Sequence, residues 1–333
     1  MDATKFAIVG AGAISQGYAQ AFQACSLCDV VGVADLRPDT AASLAEVLKC
    51  RHFESYHDLT DECGVDAVLI CTPPASHPEI CLYFIERGVH VLCEKPFAIS
   101  VDEAEKVVDA AREKGVRLTM ASKFRYVDDV IKAKQIVDSG ILGDIVLFEN
   151  AFTARVDMSQ RWNSNPAISG GGVLIDNGTH SFDIARYFLG PLAEVHVMEG
   201  RRLQNLEVEE TVRVFVRSAK GVIGNIDLSW SINKELDRYI SIYGTRGTVW
   251  VAWKESKYRQ SSSSDWVSFG SGYDKIGAFV NQINNFSGAI RGKEALLINA
   301  TDAVASVEVV EAAYESLRQN YWTAVRNGAA ASA

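Results

Sequence analysis

The sequence predicts an α/β chain in two domains. A doubly wound parallel sheet is expected over residues 1–123, and a second α/β domain with an open, mainly antiparallel sheet over 124–333. Three observations carry this. Short apolar runs alternate with helical patterns through the first part, as parallel strands joined by crossover helices require. From about residue 193, strand-like segments follow one another across short turns such as Ala219-Lys220-Gly221 and Thr245-Arg246-Gly247, the mark of an antiparallel sheet. A length of 333 residues with 48% hydrophobic content is also enough for two ordinary cores.

Taken in order, strands are expected at 6–9, 30–34, 67–71, 89–92 and 117–121, where the apolar runs lie. Helical patterns occupy 16–24, 40–48, 78–86 and 101–114. The last begins after Ser100 with Glu103 three residues on, a capping box. In the second domain a helix near 128–139 precedes a strand at 145–153 and a loop carrying Arg161-Trp162-Asn163. Gly170-Gly171-Gly172 then opens a helical pattern over 173–189. Strands follow at 193–200, 211–217, 221–230, 238–244 and 248–253. A polar loop at 261–264, helices over 275–291 and 301–320, and a frayed tail at 328–333 complete the chain, with no internal repeat.

Composition removes several partners. A formal net charge of −9 argues against duplex nucleic acid and anionic membrane surfaces. No apolar stretch reaches the ~18 residues of a membrane span, and a first strand starting near residue 5 leaves no room for a signal peptide. All seven cysteines fall between Cys25 and Cys93, odd in number and irregular in spacing, as expected of reduced thiols in a cytoplasmic protein. Cys25-Ser26-Leu27-Cys28 has no second pair to complete a zinc site, and no metal is expected.

The run Phe6-Ala7-Ile8-Val9-Gly10-Ala11-Gly12-Ala13-Ile14-Ser15 reads as a buried strand that breaks at two glycines and enters a helix. Such a turn aims backbone N–H groups and the positive end of a helix at a pyrophosphate. Gly10 permits the tight turn, and Gly12 leaves room for phosphate, with Ala13 and Ile14 opening the helix. Ser15 stands where the fingerprint has Gly or Ala. Asp35 ends the next apolar run, 25 residues after Gly10, where an acid meets the ribose hydroxyls of NAD. Its carboxylate disfavours the 2′-phosphate of NADP, although Arg37 offers that phosphate a cation.

Three further junctions carry polar groups. Cys71-Thr72-Pro73-Pro74 follows a strand, and its prolines stiffen a loop suited to the nicotinamide end. His77 reads equally well as part of that loop and as a solvated residue at a helix start. Glu94-Lys95-Pro96 follows the next strand; Lys95 is either a solvated side chain or, partly desolvated beside a cationic ring, a partner for a substrate hydroxyl. Asp176 and His180 lie four apart in a helical pattern, on one face with Asn177 nearby. A carboxylate beside an imidazole raises its basicity, which suits a general base, though a plain surface pair has the same spacing. Lys123, Arg125, Arg155 and Arg161 flank the domain junction and the loop before that helix, where they suit an anionic substrate or form a solvated basic surface. Arg125 is the one most expected to reach a ligand. Trp162 stacks on a sugar ring or packs in the core.

Together, Gly10-Ala11-Gly12, Cys71-Thr72-Pro73-Pro74 with His77, Glu94-Lys95-Pro96, and Gly170-Gly171-Gly172 followed by Asp176 and His180 resemble the Gfo/Idh/MocA oxidoreductases over nearly the whole chain. The resemblance implies a Rossmann domain followed by an α/β domain whose open sheet forms dimers or tetramers. It implies that Lys95, Asp176 and His180 match the family's catalytic lysine, aspartate and histidine. His180, where other branches have tyrosine, makes the chain similar to the inositol, sugar and nucleotide-sugar dehydrogenases. The expected reaction is hydride transfer between NAD(H) and a secondary alcohol carbon of a sugar or cyclic polyol. Two alternatives remain at this stage: a dinucleotide-sensing protein without turnover, and glycoside cleavage through transient oxidation.

Overall fold

Strand β1 (Thr4–Val9) is buried on both sides, and only a chain covered by helices on both sheet faces can use so continuous an apolar run. The structure is a computed structural model that describes residues 3–326; the expected tail at 328–333 lies outside the described residues. Contacts divide the chain into two units, 1–126 with 275–304, and 127–274 with 305–333.

In the first unit β1 runs into α1 (Ala13–Ala24), β2 (Cys28–Ala34) and α2 (Pro38–Leu48). Next come β3 (Arg51–Phe53), α3 (Tyr56–Cys63), β4 (Ala67–Ile70) and α4 (His77–Glu86). The sheet ends with β5 (His90–Glu94), α5 (Val101–Lys114) and β6 (Leu118–Ala121). Its six parallel strands lie in the order β3-β2-β1-β4-β5-β6, so the order reverses beside β1, where open α/β sheets hold their ligands. Short, polar β3 and α3 escaped the sequence reading because Arg51 and His52 give no apolar run. The capping box at the start of α5 is present, with the Ser100 hydroxyl oxygen accepting from the Glu103 N–H at 3.3 Å.

The second unit holds α6 (Asp128–Asp138), β7 (Ile145–Thr153), α7 (Pro166–Ser169) and α8 (Val173–Leu189). Strands β8 (Leu192–Glu199), β9 (Thr211–Ser218), β10 (Ile223–Ser229), β11 (Arg238–Gly244) and β12 (Gly247–Ala252) follow. Then come β13 (Ser256–Gln260) and β14 (Val267–Gly270). Helix α9 (Lys275–Ile290) belongs to the first unit, α10 (Ala300–Gln319) starts there and ends in the second, and β15 (Thr323–Ala324) is the last element among the described residues. The nine-stranded sheet runs β14-β13-β12-β11-β7-β10-β9-β8-β15, antiparallel except for the β7–β10 pair. Alternation on β9 buries Val212, Val214 and Val216 beneath the helices and leaves Arg213, Phe215 and Arg217 on the opposite face.

A continuous boundary at 123/124, as the sequence suggested, therefore differs from the observed division. Lys275–Val304 returns to the first unit because its apolar stripe fills that unit's core. Phe279, Ile283 and Phe286 are fully buried with Phe6, Ile8, Tyr18 and Phe22. Tyr18 stacks on Phe279 at 4.0 Å, and a Cβ at Gly17 would meet the Phe279 ring at 2.9 Å. Periodicity shows that a helix has an apolar face, but not which core receives it. The same helix covers the buried thiols: Ser287 lies 2.9 Å from the Cys28 sulfur, and burial pushes that thiol up to about 12.

If α9 completes this core, Phe286→Ala should destabilise the protein by about 3–5 kcal/mol. Urea unfolding of the native and substituted chains measures it, and a loss below about 1 kcal/mol would show that α9 is dispensable to the first unit.

Candidate active site

The first set of polar groups forms at the carboxyl ends of β1, β2, β4 and β5. Gly10 adopts φ +93°, and a Cβ there would sit 2.8–2.9 Å from backbone atoms of Cys71 and Thr72, so the turn after β1 and the Cys71–Pro74 loop touch. Gly12 caps α1 with open space around its Cα and no side-chain cap, which leaves the helix N-terminus with Ala13 and Ile14 accessible to a pyrophosphate. Ser15 is buried and its hydroxyl donates to the Gly10 carbonyl, so the departure from the glycine fingerprint fastens the turn. Asp35 accepts from the Ala11 N–H at 2.8 Å and from the Arg37 N–H at 2.9 Å, with the Arg37 Nε at 3.2 Å. Burial opposes its charge, but these donors and the guanidinium outweigh that and hold its carboxyl below the usual range. A carboxylate has about four lone-pair sites, so one remains for a ribose hydroxyl beside these three donors. These residues fit NAD.

His77 is not the solvated residue that the sequence also allowed. It is fully buried, and its two ring nitrogens face the carbonyls of Pro96 (2.9 Å) and Thr72 (2.8 Å), joining the loop after β4 to the segment beside Lys95. Burial keeps its pKa low, against those carbonyls. Glu94 is buried beneath Lys95, accepts from the Lys95 N–H at 3.0 Å and from the Tyr18 hydroxyl at 2.8 Å. Tyr18 also meets Gln282 of α9 at 2.9 Å. Burial raises the Glu94 pKa, moderated by the charges of Lys95 and Lys123 and the Tyr18 hydroxyl. Lys123 is half-buried with its ammonium over the rings of Phe124 (5.5 Å) and Phe279 (6.0 Å). Arg125 departs from expectation. It is 4% exposed, and its guanidinium donates to Asp302 and to the Leu297 carbonyl, fastening the returning segment rather than presenting a cation to a ligand.

The second set lies on α8. Glu209 is buried at the start of this helix, where one carboxylate oxygen accepts from the N–H groups of Gly172 (3.0 Å) and Leu174 (2.9 Å) and from the Tyr314 hydroxyl (2.9 Å). Its backbone carbonyl accepts from the Val173 N–H at 2.9 Å. The glycines make room for this: a Cβ at Gly171 would come within 1.8 Å of the Tyr314 oxygen, and one at Gly172 within 2.0 Å of the Glu209 carbonyl. What approaches the glycines is therefore protein, not substrate. Helix α8 thus carries Asp176 and Asn177, both half-buried, and His180, 7% exposed, from a fixed N-terminus. Phe152 lies 6.4 Å from the His180 ring, and Tyr239 and Trp253 pack on Phe152. Arg155, Arg161 and Trp162 are exposed on the loop after β7.

Sequence reasoning did not find Tyr18, Gln282, Glu209 or Tyr314. The adjacent acids Glu209 and Glu210 were a visible signal, but both are buried, and nothing in the order of residues says which of them reaches the start of α8.

A dinucleotide-binding sheet followed by an open-sheet domain bearing an Asp–His helix defines a two-domain, nicotinamide-dependent oxidoreductase. The comparisons agree. Residues 4–122 match the family described as "Oxidoreductase family, NAD-binding Rossmann fold", and residues 130–250 match the GFO/IDH/MocA C-terminal domain. An inositol 2-dehydrogenase of Rubrobacter xylanophilus is 30% identical over 300 residues, 87% of this chain and 83% of that protein. The rhizopine catabolism protein MocA of Rhizobium meliloti is 28% identical over 96% of this chain and 97% of that protein. A solved levoglucosan dehydrogenase, in complex with NADH and levoglucosan, shares the fold with a TM-score of 0.90 at 21% identity, covering 97% of this chain and 100% of its own. The chain belongs to the Gfo/Idh/MocA family of NAD-dependent oxidoreductases. Among the described residues no helix is long and apolar enough to cross a membrane.

The Glu209 anchor has a pH signature. Burial raises its pKa above the ordinary 4.5, while the Tyr314 hydroxyl works the other way. The folded state therefore binds this proton more tightly than the unfolded chain. Its contribution is present below the unfolded pKa and lost as pH rises through the folded one. Tyr314→Phe should cost roughly 1.5–3 kcal/mol while the Glu209 carboxylate is charged, and less as pH falls through its raised pKa. Thermal unfolding at several pH values checks this; a penalty that grows on acidification contradicts it.

Proposed function

We propose that this enzyme transfers a hydride reversibly between NAD and a secondary alcohol carbon of a neutral sugar or cyclic polyol. The observation that carries the reading is His180, held with Asp176 on a helix whose N-terminus is anchored by Glu209, in a chain whose first unit is built for NAD. Bound NAD+ supplies the oxidising power. His180 takes the hydroxyl proton as general base, and Asp176 orients it or holds a neighbouring hydroxyl. Lys95 hydrogen-bonds the reacting oxygen and stabilises its developing negative charge. Glu94, buried under the Lys95 backbone, positions that residue.

The placement of the cations supports a neutral substrate. Arg125 is committed to Asp302 and Leu297, Lys123 lies over aromatic rings, and Arg155 and Arg161 are exposed on a loop. A phosphate or nucleotide diphosphate is better matched by converging, partly buried cations. Asp35 favours NAD over NADP, since the ribose 2′-phosphate would meet its carboxylate. Seven thiols without a disulfide suit a reducing compartment, and we place the protein in the cytoplasm.

A screen of sugars and inositols for NADH absorbance tests the reaction. With a substrate in hand, Lys95→Ala and His180→Ala should each lower kcat by about 10²–10⁴ while NADH binding stays within about threefold. In the same titrations NADH should bind more tightly than NADPH. Near-native turnover in either variant removes that residue from the mechanism, and tighter NADPH binding reverses the cofactor assignment.

The face of the large sheet opposite α8 carries Phe215 among Arg213, Asp227 and Arg217, and we propose that it pairs subunits into a homo-oligomer. Light scattering of the native protein should return a dimer or tetramer mass; a monomer at micromolar concentration removes the proposal.

A further inference from the structure

Gln204 lies in the irregular segment between β8 and β9, yet its side chain ties two other parts of the second unit together. Its Oε1 accepts from the Met158 N–H at 3.0 Å. Its Nε2 donates to the Val156 carbonyl and the Ser231 hydroxyl oxygen at 3.0 Å each, with the Trp230 carbonyl at 3.3 Å. The Gln204 N–H donates to the Glu210 carboxylate at 2.9 Å, which also accepts from the Leu203 N–H and the Ser231 hydroxyl. Burial opposes the charge of Glu210, but these donors outweigh it and hold the carboxyl below its usual range. Glu210 also accepts the Trp230 N–H on its carbonyl at 2.9 Å, and its neighbour Glu209 anchors the start of α8. One hydrogen-bonded frame thus runs from the helix bearing Asp176 and His180 to the loop after β7.

That loop, 154–165, has both ends beside the candidate catalytic helix. It begins two residues after Phe152, whose ring lies 6.4 Å from the His180 imidazole. It ends through α7 at Gly172, four residues before Asp176. Its root is fastened to β10, with the Ala154 N–H on the Ser229 carbonyl at 3.0 Å and the Val156 N–H on the Trp230 carbonyl at 2.7 Å. Beyond Met158 the hydrogen bonds are internal: Arg161 N–H to the Met158 carbonyl, Ser164 N–H to Arg161 and Asn165 N–H to Trp162. The side chains of Arg161, Trp162 and Asn163 at the tip make no hydrogen bond among the described residues. Gln204 therefore supplies the last tie before the chain is held only by its own turns.

We propose that Gln204 is a positioning residue for substrate binding, setting loop 154–165 against the helix of Asp176 and His180 so that the tip meets the hydroxyls of the substrate ring. The inference rests on the hydride-transfer reading above. A loop ordered beforehand lowers the entropy cost of binding and leaves the chemical step alone, so its loss appears in KM and not in kcat. A polar hub of this kind also adds stability, and the two effects separate by charge. The charged groups around the amide are Glu210; Arg202, committed to Glu199 and to the Leu206 and Glu207 carbonyls; Arg155 and Asp157 on either side of Val156; and Lys234, committed to Asp227. A carboxylate placed at 204 keeps the acceptor for Met158, loses the donors, and shares Ser231 with the Glu210 carboxylate. Protonation returns one donor.

The test uses the full chain with NAD+ and myo-inositol, or the ring alcohol of highest kcat/KM in the screen. Gln204→Met should raise KM about fivefold to tenfold at every pH, with kcat within about threefold of native and NADH binding within about twofold. Gln204→Glu should match it near pH 8, and its KM relative to native should fall toward about twofold near pH 5.5. Comparison with native protein at each pH cancels the titration of His180, which both share. A lowered melting temperature with native KM shows a merely structural role and overturns the proposal; so does a loss confined to kcat, or a Gln204→Glu ratio that does not change with pH. If Gln204→Met fails to fold, Ser231→Ala, which removes one partner of the amide, should raise KM about twofold to threefold at native kcat, and an unchanged KM overturns the proposal. Native protein that forms no NADH from any ring alcohol overturns the dehydrogenase reading itself, and this role with it.

Discussion

The first unit depends on a hydrogen atom at Gly10 where any other residue would carry a carbon. With φ at +93° and the Cys71–Thr72 backbone 2.8–2.9 Å from a hypothetical Cβ, the position excludes side chains twice over, by conformation and by space. Contact of these two turns has consequences along the sheet edge. Hydrogen bonds from Gly10 to Ala34 and from Cys71 to Val9 (2.7 Å each) carry the pairing of β1 into the turns themselves. Ala11 then directs its N–H at Asp35, and the Ser15 hydroxyl closes the turn on itself. From Thr72 the buried imidazole of His77 continues the fixed backbone to Pro96, beside Lys95. The dinucleotide turn and the candidate catalytic lysine are thus connected by short hydrogen bonds through ordered backbone, with no free loop between them.

Two buried glutamates do for the candidate catalytic residues what Gly10 does for the cofactor turn. Glu94 lies under Lys95 and Glu209 under the start of the helix bearing His180. Removing a carboxylate from water is costly, and in both cases burial wins over the donors and raises the pKa. Each accepts from backbone N–H groups at the start of the segment it holds, and a tyrosine hydroxyl adds a further donor in each. A helix N-terminus also favours negative charge, which offsets part of the burial cost at Glu209. Such arrangements fix position at the expense of stability, a pattern suited to groups that must be held to a fraction of an ångström.

Much of this was legible in the order of residues. Alternation and apolar runs located the central strands of both sheets to within a residue or two but missed the short or polar edge strands β3, β13, β14 and β15, and the helices over 101–114 and 173–189 were given by periodicity and by their entry signals. Local motifs have local causes: a glycine turn, a capping box and an i, i+4 pair are all visible within a few residues. What could not be read was long-range. Tyr18 and Gln282 meet across 264 positions, and Glu209 and Tyr314 across 105. No periodicity encodes such pairings. Arg125 was misjudged for the same reason, because its partner Asp302 lies 177 residues away. The basic residues looked like a ligand site in sequence because solvated, paired and ligand-binding arginines share one letter.

The return of residues 275–304 to the first unit has a physical consequence of its own. The chain passes between units three times, at 126/127, 274/275 and 304/305. Without α9, the face of the first sheet bearing Phe6, Ile8 and Leu69 lacks Phe279, Ile283 and Phe286, and Tyr18 loses Gln282. At about 25 cal/mol per Å² of apolar surface, three aromatic or aliphatic side chains of that size account for several kcal/mol, a large share of the net stability of a typical domain. Closing this core also means bringing together residues more than 250 positions apart, a contact whose entropic cost is met only after the intervening segment has found its own fold. The order of events then follows from topology. The residues of the second unit up to Asp274 are synthesised before the helix that completes the core of the cofactor domain, so that core closes only after helix α8 has been made.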